Sequence, residues 1–174
     1  MTKSEVVKHI IEGNIVAIFQ GQSEWGPRAL GNRSILFDPR NPSAKDIVNK
    51  VKKREWYRPF AGTIMLEYAN DYFEMATIKE SPYMSFAIPA KQKAKDEVPG
   101  IIHADGTCRI QTVTREQNKH FYDLIEEFYK KTGVPILFNT SFNLAGEPLV
   151  ETIEDAENTV TRSDINYLYK PETL

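Results

Sequence analysis

Short apolar runs alternate with amphipathic stripes along this chain, and the change of period between them predicts most of its elements. Val6, Val7, Ile10 and Ile11 form a helical stripe behind Thr2 and Glu5, which have capping-box spacing, and Gly13 is placed to end that helix. Ile15 to Phe19 reads as a strand, and Ser34 to Phe37 as a second. Ser43 and Asp46 then start a helix with Ile47, Val48 and Val51 inward, expected to carry Lys50, Lys52 and Lys53 and to end at Pro59. Phe60 to Leu66 predicts a strand, Glu67 to Phe73 a short surface helix, and Tyr83 to Ile88 a strand of aromatic and apolar residues.

Between Pro89 and Pro99 the chain turns to Lys, Gln, Asp and Glu, which predicts an exposed, mobile loop. Ile101 to Val113 reads as two strands around an Asp105-Gly106 turn. Thr114 and Gln117 are placed to cap the strongest helix, whose stripe is Phe121, Leu124, Ile125 and Phe128 and whose end is near Gly133. Val134 to Phe138 predicts a buried strand running into a polar loop, Asn139 to Asn143. Pro148 to Val150 adds a short strand, Thr152 and Asp155 start a helix that turns Ile153, Ala156 and Val160 inward, and Ile165 to Tyr169 closes as a strand. Strands and helices mixed without regular βαβ alternation predict an α/β or α+β domain around a mixed sheet.

Composition narrows this picture. A chain of 174 residues, 41% hydrophobic, makes one globular domain that can bury a core without staples. The single Cys108 excludes an internal disulfide and a cysteine-pair zinc site, which fits a reducing cytoplasm. No apolar run is long enough to cross a bilayer, and Met1 to Gly13 is amphipathic rather than a signal peptide, so a soluble protein is expected. The formal charge of −2 hides an asymmetry: residues 28–58 hold nine basic and three acidic residues, 9 − 3 = +6, which leaves −8 for the rest. A basic block in an acidic chain points to a local anionic partner.

Candidate chemistry starts in the stretch from Gln20 to Pro39, which packs Arg28, Arg33 and three glycines between two strands. Glycines let backbone N–H groups approach a ligand, and arginine forks suit phosphate oxygens, so an anion pocket is expected. Gly26-Pro-Arg-Ala-Leu-Gly31-Asn-Arg-Ser34 has the glycine spacing of a phosphate-binding P-loop, but Asn32 stands at the lysine position and a strand follows in place of a helix. Lys52, Arg54 and Arg58 lie within seven residues and can converge on one ligand, with Trp56 and Tyr57 between them expected to pack. His103 and Asp105 read as a hydrogen-bonded turn, while Thr107, Arg109 and Gln111 make a polar stripe on one strand face that needs a buried partner. Ser141 has no recognisable catalytic base and is read as a ligand donor.

Four runs together resemble one known family. They are GPRALGNRSILFDPR from Gly26; Lys52-x-Arg54-Glu55 with Arg58-Pro59-Phe60-Ala61; His103-Ala-Asp105-Gly106-Thr107-x-Arg109-x-Gln111-Thr112-Val113; and Pro135-Ile-Leu-Phe-Asn139-Thr140-Ser141-Phe142-Asn143 with Gly146-Glu147-Pro148. In this order they are similar to the C-terminal domain of the O-carbamoyltransferases of the nodulation and antibiotic-tailoring type, and the resemblance covers nearly all of residues 1–174. It implies a single α/β domain of the YrdC type, a twisted mixed sheet flanked by helices. It also implies use of ATP, with Mg²⁺ on the nucleotide rather than in a protein metal site, and of carbamoyl phosphate to make carbamoyl adenylate. By the same resemblance Lys52, Arg58 and Ser141 gather around carbamoyl phosphate, Arg28 and Arg109 bind phosphate groups, and Arg54, Asn139 and Asn143 stand behind them, with Arg33 a further phosphate candidate from its fork. The partner implied is an N-terminal transferase domain with an actin-like fold, in the same or another chain, that passes the carbamoyl group to a hydroxyl. Two other readings remain open: a YrdC-like RNA-binding module, with nucleic acid the less expected partner, and a degenerate regulatory subunit without carbamoyl chemistry.

Overall fold

Seven strands join into one mixed sheet in the computed structural model, which describes residues 1–171. In chain order they are β1 (Val16–Phe19), β2 (Arg33–Phe37), β3 (Ala61–Met65), β4 (Ala87–Pro89), β5 (Thr107–Val113), β6 (Ile136–Ser141) and β7 (Tyr167–Tyr169). Across the sheet the order is β4-β5-β3-β6-β2-β1-β7, parallel for β1–β7 and β3–β5 and antiparallel elsewhere. The flanking helices are α1 (Lys3–Ile11), α2 (Ala44–Val51), α3 (Ala69–Tyr72), α4 (Gln92–Glu97), α5 (Lys119–Thr132) and α6 (Ile153–Thr161).

Local signals explain where several elements begin and end. Thr2 with Glu5 and Thr152 with Asp155 form the expected capping boxes, satisfying orphan N–H groups at the starts of α1 and α6. Residues of β2 and β3 are buried throughout, so the sheet centre is closed on both faces. The stripe Phe121, Leu124, Ile125 and Phe128 is fully buried on α5, each side chain worth about 1.5–3 kcal/mol of transfer free energy. Gly133, at φ 75°, ends that helix.

Elsewhere tertiary context moved the boundaries. α2 stops at Val51 instead of Pro59, because Lys53 turns left-handed at φ 55° and the Arg54 N–H donates to Asn49 O at 3.1 Å. Lys52 is therefore the cap of α2 and Lys53 lies beyond it. The strand expected over Tyr83 to Ile88 shrinks to Ala87–Pro89, since Met84 adopts φ 54° and leaves Tyr83 and Phe86 exposed. Pro89 to Pro99 is no loop: it contains α4, pinned by buried Ala94 and followed by buried Val98. Pro99–Ile101 is a 3₁₀ turn, so the Asp105-Gly106 turn leads into one strand, not between two. Leu66–Tyr68 is also 3₁₀, and the helix after it buries Tyr72, with Phe73 just past its end, in place of a surface segment.

Thr114 and Gln117 do bond reciprocally, at 3.0 and 3.3 Å, but they close a turn, and Asn118 caps α5 by accepting from Phe121 N at 3.0 Å. Pro148 to Val150 forms no strand; Val150 N donates to Phe142 O at 3.1 Å. Asn139 to Ser141 belong to β6 rather than to a loop, paired with β2 and, through Asn139, with β3.

Gly31 shows what the glycines of the loop before β2 are for. It sits at φ +113°, and a Cβ there would fall 2.2 Å from Cδ1 of the Phe121 ring. Gly31→Ala is expected to lower the unfolding free energy by about 3 kcal/mol through strain and overpacking. Urea denaturation measures this, and an unchanged midpoint would show that the loop can lift off α5 freely.

Candidate active site

Strand alternation builds one polar patch. Directly opposed residues share a sheet face, so the register Arg109–Ala61–Asn139 and Gln111–Thr63 places Arg109 and Gln111 of β5, Thr63 of β3, and Asn139 and Ser141 of β6 on the same side. The polar stripe on β5 finds its partner here: Thr63 Oγ1 donates to Gln111 Oε1 at 2.8 Å, and Gln111 Nε2 donates to Leu30 O at 3.0 Å.

Two loops close over this patch. The segment after α2 brings Lys52, Arg54 and Arg58, and the segment before β2 brings Arg28. Together they enclose a basin of about 520 Å³ lined by Arg28, Lys52, Arg54, Arg58, Ser141 and Asn143, with Glu55 as its carboxylate. Beside it lies a recess of about 90 Å³ lined by Arg28, Arg54, Ala61, Met84, Arg109, Asn139 and Ser141, and the two spaces share Arg28, Arg54 and Ser141. Of the nine site residues expected from sequence, eight line this double cavity. A separate cavity of about 470 Å³, with His120 and Tyr169 in its wall, holds none of them.

Arg33 is the exception, and the pleat explains it. Ser34 is opposite Ser141, so Arg33 points to the other face, where its guanidinium lies 3.6 Å over the Phe19 ring. Its fork donates to Gln20 O at 2.6 Å and to Gly21 O at 3.2 Å, so it braces the loop instead of meeting a ligand. The backbone donors of that loop are also taken. Glu24 accepts from Leu30 N at 2.8 Å and Asn32 N at 2.6 Å, filling the expected anion nest with the protein's own carboxylate.

The remaining cations are held mostly by dipoles rather than by counter-charges. Lys52 is 2% exposed and donates to Ser141 O, to Ser141 Oγ at 3.2 Å and to Asn143 Oδ1 at 3.0 Å. Burial first, and then the charge of Arg54, push its ammonium down from 10.5 to about 7. Arg54 is lowered to about 10, chiefly by burial and then by Arg58; its Nε donates to Asn49 Oδ1 at 2.5 Å and it stacks 4.0 Å over Phe60. Arg28 is lowered by burial and by Arg109, so these two forks feel each other across the recess. Arg58 pairs with Glu55 at 2.7 Å, a half-exposed contact worth about 0–1 kcal/mol and easily exchanged for a ligand.

Sequence reasoning missed Asn49. It is 2% exposed on α2, and its Nδ2 donates to Trp56 O and Arg58 O at 3.1 Å each, which shapes the cationic loop. Nothing in its spacing announced this, since a buried asparagine in a helix is known only from its surroundings. Trp56 and Tyr57, expected to pack, are 72% and 62% exposed beside the basin, and Trp25 is 99% exposed two residues from Pro27. Among the described residues no group of three or more His, Cys, Asp or Glu side chains is placed to hold a metal ion, and no helix is long and apolar enough to cross a membrane.

Comparison with known proteins gives a family and a fold. The family model described as carbamoyltransferase C-terminus matches residues 7–174. The chain is 44% identical to nodulation protein NolNO of Sinorhizobium fredii, over 98% of this chain and 26% of that protein. It is 43% identical to nodulation protein NolO of Bradyrhizobium diazoefficiens, over 95% of this chain and 30% of that protein. It thus spans under a third of the length of these relatives. Its fold is similar to that of full-length HypF, solved in the phosphate- and nucleotide-bound form, with a TM-score of 0.69 at 21% identity, over 96% of this chain and 24% of HypF. The fold expected from sequence, a YrdC-like mixed sheet flanked by helices, is the one observed.

Lys52 makes stability depend on pH in a defined window. An unfolded lysine keeps its proton up to 10.5, whereas the folded one loses it above about 7, so the unfolded state binds more protons and stability rises with pH across that interval. Relative to Lys52→Met, the wild-type unfolding free energy is expected to climb by at most about 1.4 kcal/mol per pH unit between those limits. Urea unfolding of both proteins at pH 7, 8 and 9 checks this; parallel profiles would mean that Lys52 is not depressed.

Proposed function

The chain belongs to the carbamoyltransferase C-terminus family, and from that premise we propose that it activates a carbamoyl group with ATP. The observation that carries this reading is the double cavity, where Lys52, Arg28, Arg54, Arg58 and Arg109 meet around Ser141 with one carboxylate among them. Such a place binds anions with several charges and little else. In this reading water and carbamoyl phosphate give carbamate and phosphate. A carbamate oxygen then attacks the α-phosphorus of ATP, pyrophosphate leaves, and carbamoyl adenylate is formed.

Each side chain has a task consistent with where it sits. Lys52, with its ammonium lowered to about 7, takes up a proton as an anion arrives, and Ser141 Oγ, which accepts from Lys52 and donates to Asn143 Oδ1, holds it in place until that hydroxyl turns to the ligand. Arg28, Arg54, Arg58 and Arg109 offer forks to phosphoryl oxygens and to the charge that builds on pentavalent phosphorus. In this reading the magnesium ion travels on the ATP phosphates as part of the substrate, and Glu55, the basin's carboxylate, serves as the resting partner of Arg58. Carbamate is short-lived, so enclosure and orientation matter more than acid–base help. Reliance on ATP fits a cytoplasmic location.

A transferase module, from the same or another chain, completes the reaction by moving the carbamoyl group to a hydroxyl acceptor. Supporting this are the greater length of the relatives and the exposed Trp25 and Trp56, which sit in the loops that supply Arg28, Arg54 and Arg58 to the cavity and which another domain would cover.

Carbamoyl-phosphate-dependent ATP–pyrophosphate exchange tests the proposal. The wild-type chain is expected to catalyse it. Lys52→Ala should lose about 10²–10³-fold with a melting temperature within about 3 °C of wild type, and Arg109→Lys about tenfold or more, because a point charge cannot replace a fork. Absence of exchange and of any affinity for ATP or carbamoyl phosphate, together with RNA binding that weakens steeply with salt, would replace this reading by a nucleic-acid module.

A further inference from the structure

The recess is rich in donors and poor in acceptors. Arg28, Arg54 and Arg109 present N–H groups to it, and Ser141 Oγ already donates to Asn143 Oδ1 at 2.7 Å. Among the described residues three buried side-chain polar atoms have no partner, His9 Nδ1, Arg33 Nε and Asn139 Oδ1, and of these residues only Asn139 lines the recess.

The orientation of that amide is locked. Asn139 Nδ2 donates to Ala29 O at 3.2 Å, to Thr63 Oγ1 at 2.9 Å and to Gln111 Oε1 at 3.3 Å. A backbone carbonyl can only accept, and Gln111 is itself fixed by its donation to Leu30 O at 3.0 Å, so the Asn139 amide cannot flip. Oδ1 is thereby left as a desolvated acceptor, a state that costs free energy until an N–H reaches it. A side chain fully buried, bonded to β3, β5 and the loop before β2 and still short of one donor is suited to something that brings the donor.

We propose that Asn139 Oδ1 accepts an N–H of the substrate's carbamoyl group, so that the recess selects carbamoyl phosphate over acyl phosphates of the same shape that carry a methyl in place of the amino group. This rests on the carbamoyl reading of the cavity. The small volume suits the planar carbamoyl end and excludes a nucleoside, while the larger basin receives phosphate groups. Among the cations, donors are abundant and would hold any acyl phosphate by its oxygens. Only an acceptor distinguishes –NH₂ from –CH₃, because the methyl leaves Oδ1 unsatisfied.

The test is the affinity of the chain for carbamoyl phosphate, acetyl phosphate and inorganic phosphate, measured by calorimetric titration. Wild type is expected to prefer carbamoyl over acetyl phosphate by about 10- to 100-fold, and Asn139→Leu to bring that ratio to within about twofold. The wild-type comparison stands alone if the variant does not fold. Equal affinity of wild type for the two acyl phosphates, with inorganic phosphate bound, overturns the role of Asn139 and leaves the carbamoyl reading in place. Preference fully retained in a folded Asn139→Leu also overturns it. Failure to bind any of the three removes the carbamoyl reading itself, and this inference with it.

Discussion

Mutual repulsion among cations brought to one place is the constraint on which this structure turns. Lys52, Arg28, Arg54, Arg58 and Arg109 converge with Glu55 as their one carboxylate, and Lys52 does so almost fully buried. Left alone, such a cluster would fly apart or neutralise, and Lys52 goes part of the way by falling to about 7. The arrangement survives because dipoles, not counter-charges, hold the groups: the Ser141 carbonyl and Asn143 amide take Lys52, the Asn49 amide takes Arg54, and the Phe60 ring lies beneath its guanidinium. Dipoles position a cation without cancelling it, so the charge stays available to an incoming anion.

The core makes this possible from below. Closed sheet faces and the buried stripe of α5 supply the favourable burial against which an uncompensated charge patch is a tolerable cost. The polar network Thr63–Gln111–Asn139 carries the transition from apolar core to charged cavity, satisfying all its donors while one acceptor stays open. Rigidity there is what the proposed choice between an amino and a methyl group requires, since a wandering amide could not make it.

The nodulation relatives are more than three times as long as this chain, which matches one part of each of them. Its own surface is consistent with that position. The aromatic side chains left in solvent, Trp25, Trp56, Tyr57, Tyr83 and Phe86, belong to the loops that border the cavity, while apolar residues elsewhere are mostly gathered into a single core.

Local signals in the chain were enough for elements whose cause is local. Capping boxes at Thr2 and Thr152, the stripe of α5 and its glycine stop, and the apolar runs of β1, β2 and β3 all follow from neighbours within a turn or a few residues. The four motifs also named side chains that meet in one double cavity, because anion binding limits the residue types worth singling out. Tertiary structure decided everything that depends on distant partners. Ala94 and Val98 turned a charged stretch into a packed helix, the left-handed Lys53 ended α2 early, and the β6 pairing drew Asn139 to Ser141 into the sheet. It likewise separated two arginines five residues apart, leaving Arg28 in the cavity and sending Arg33 to the opposite face. A side chain's type can be read from one letter, but which face it joins is set by register, and register is fixed only when the strands meet.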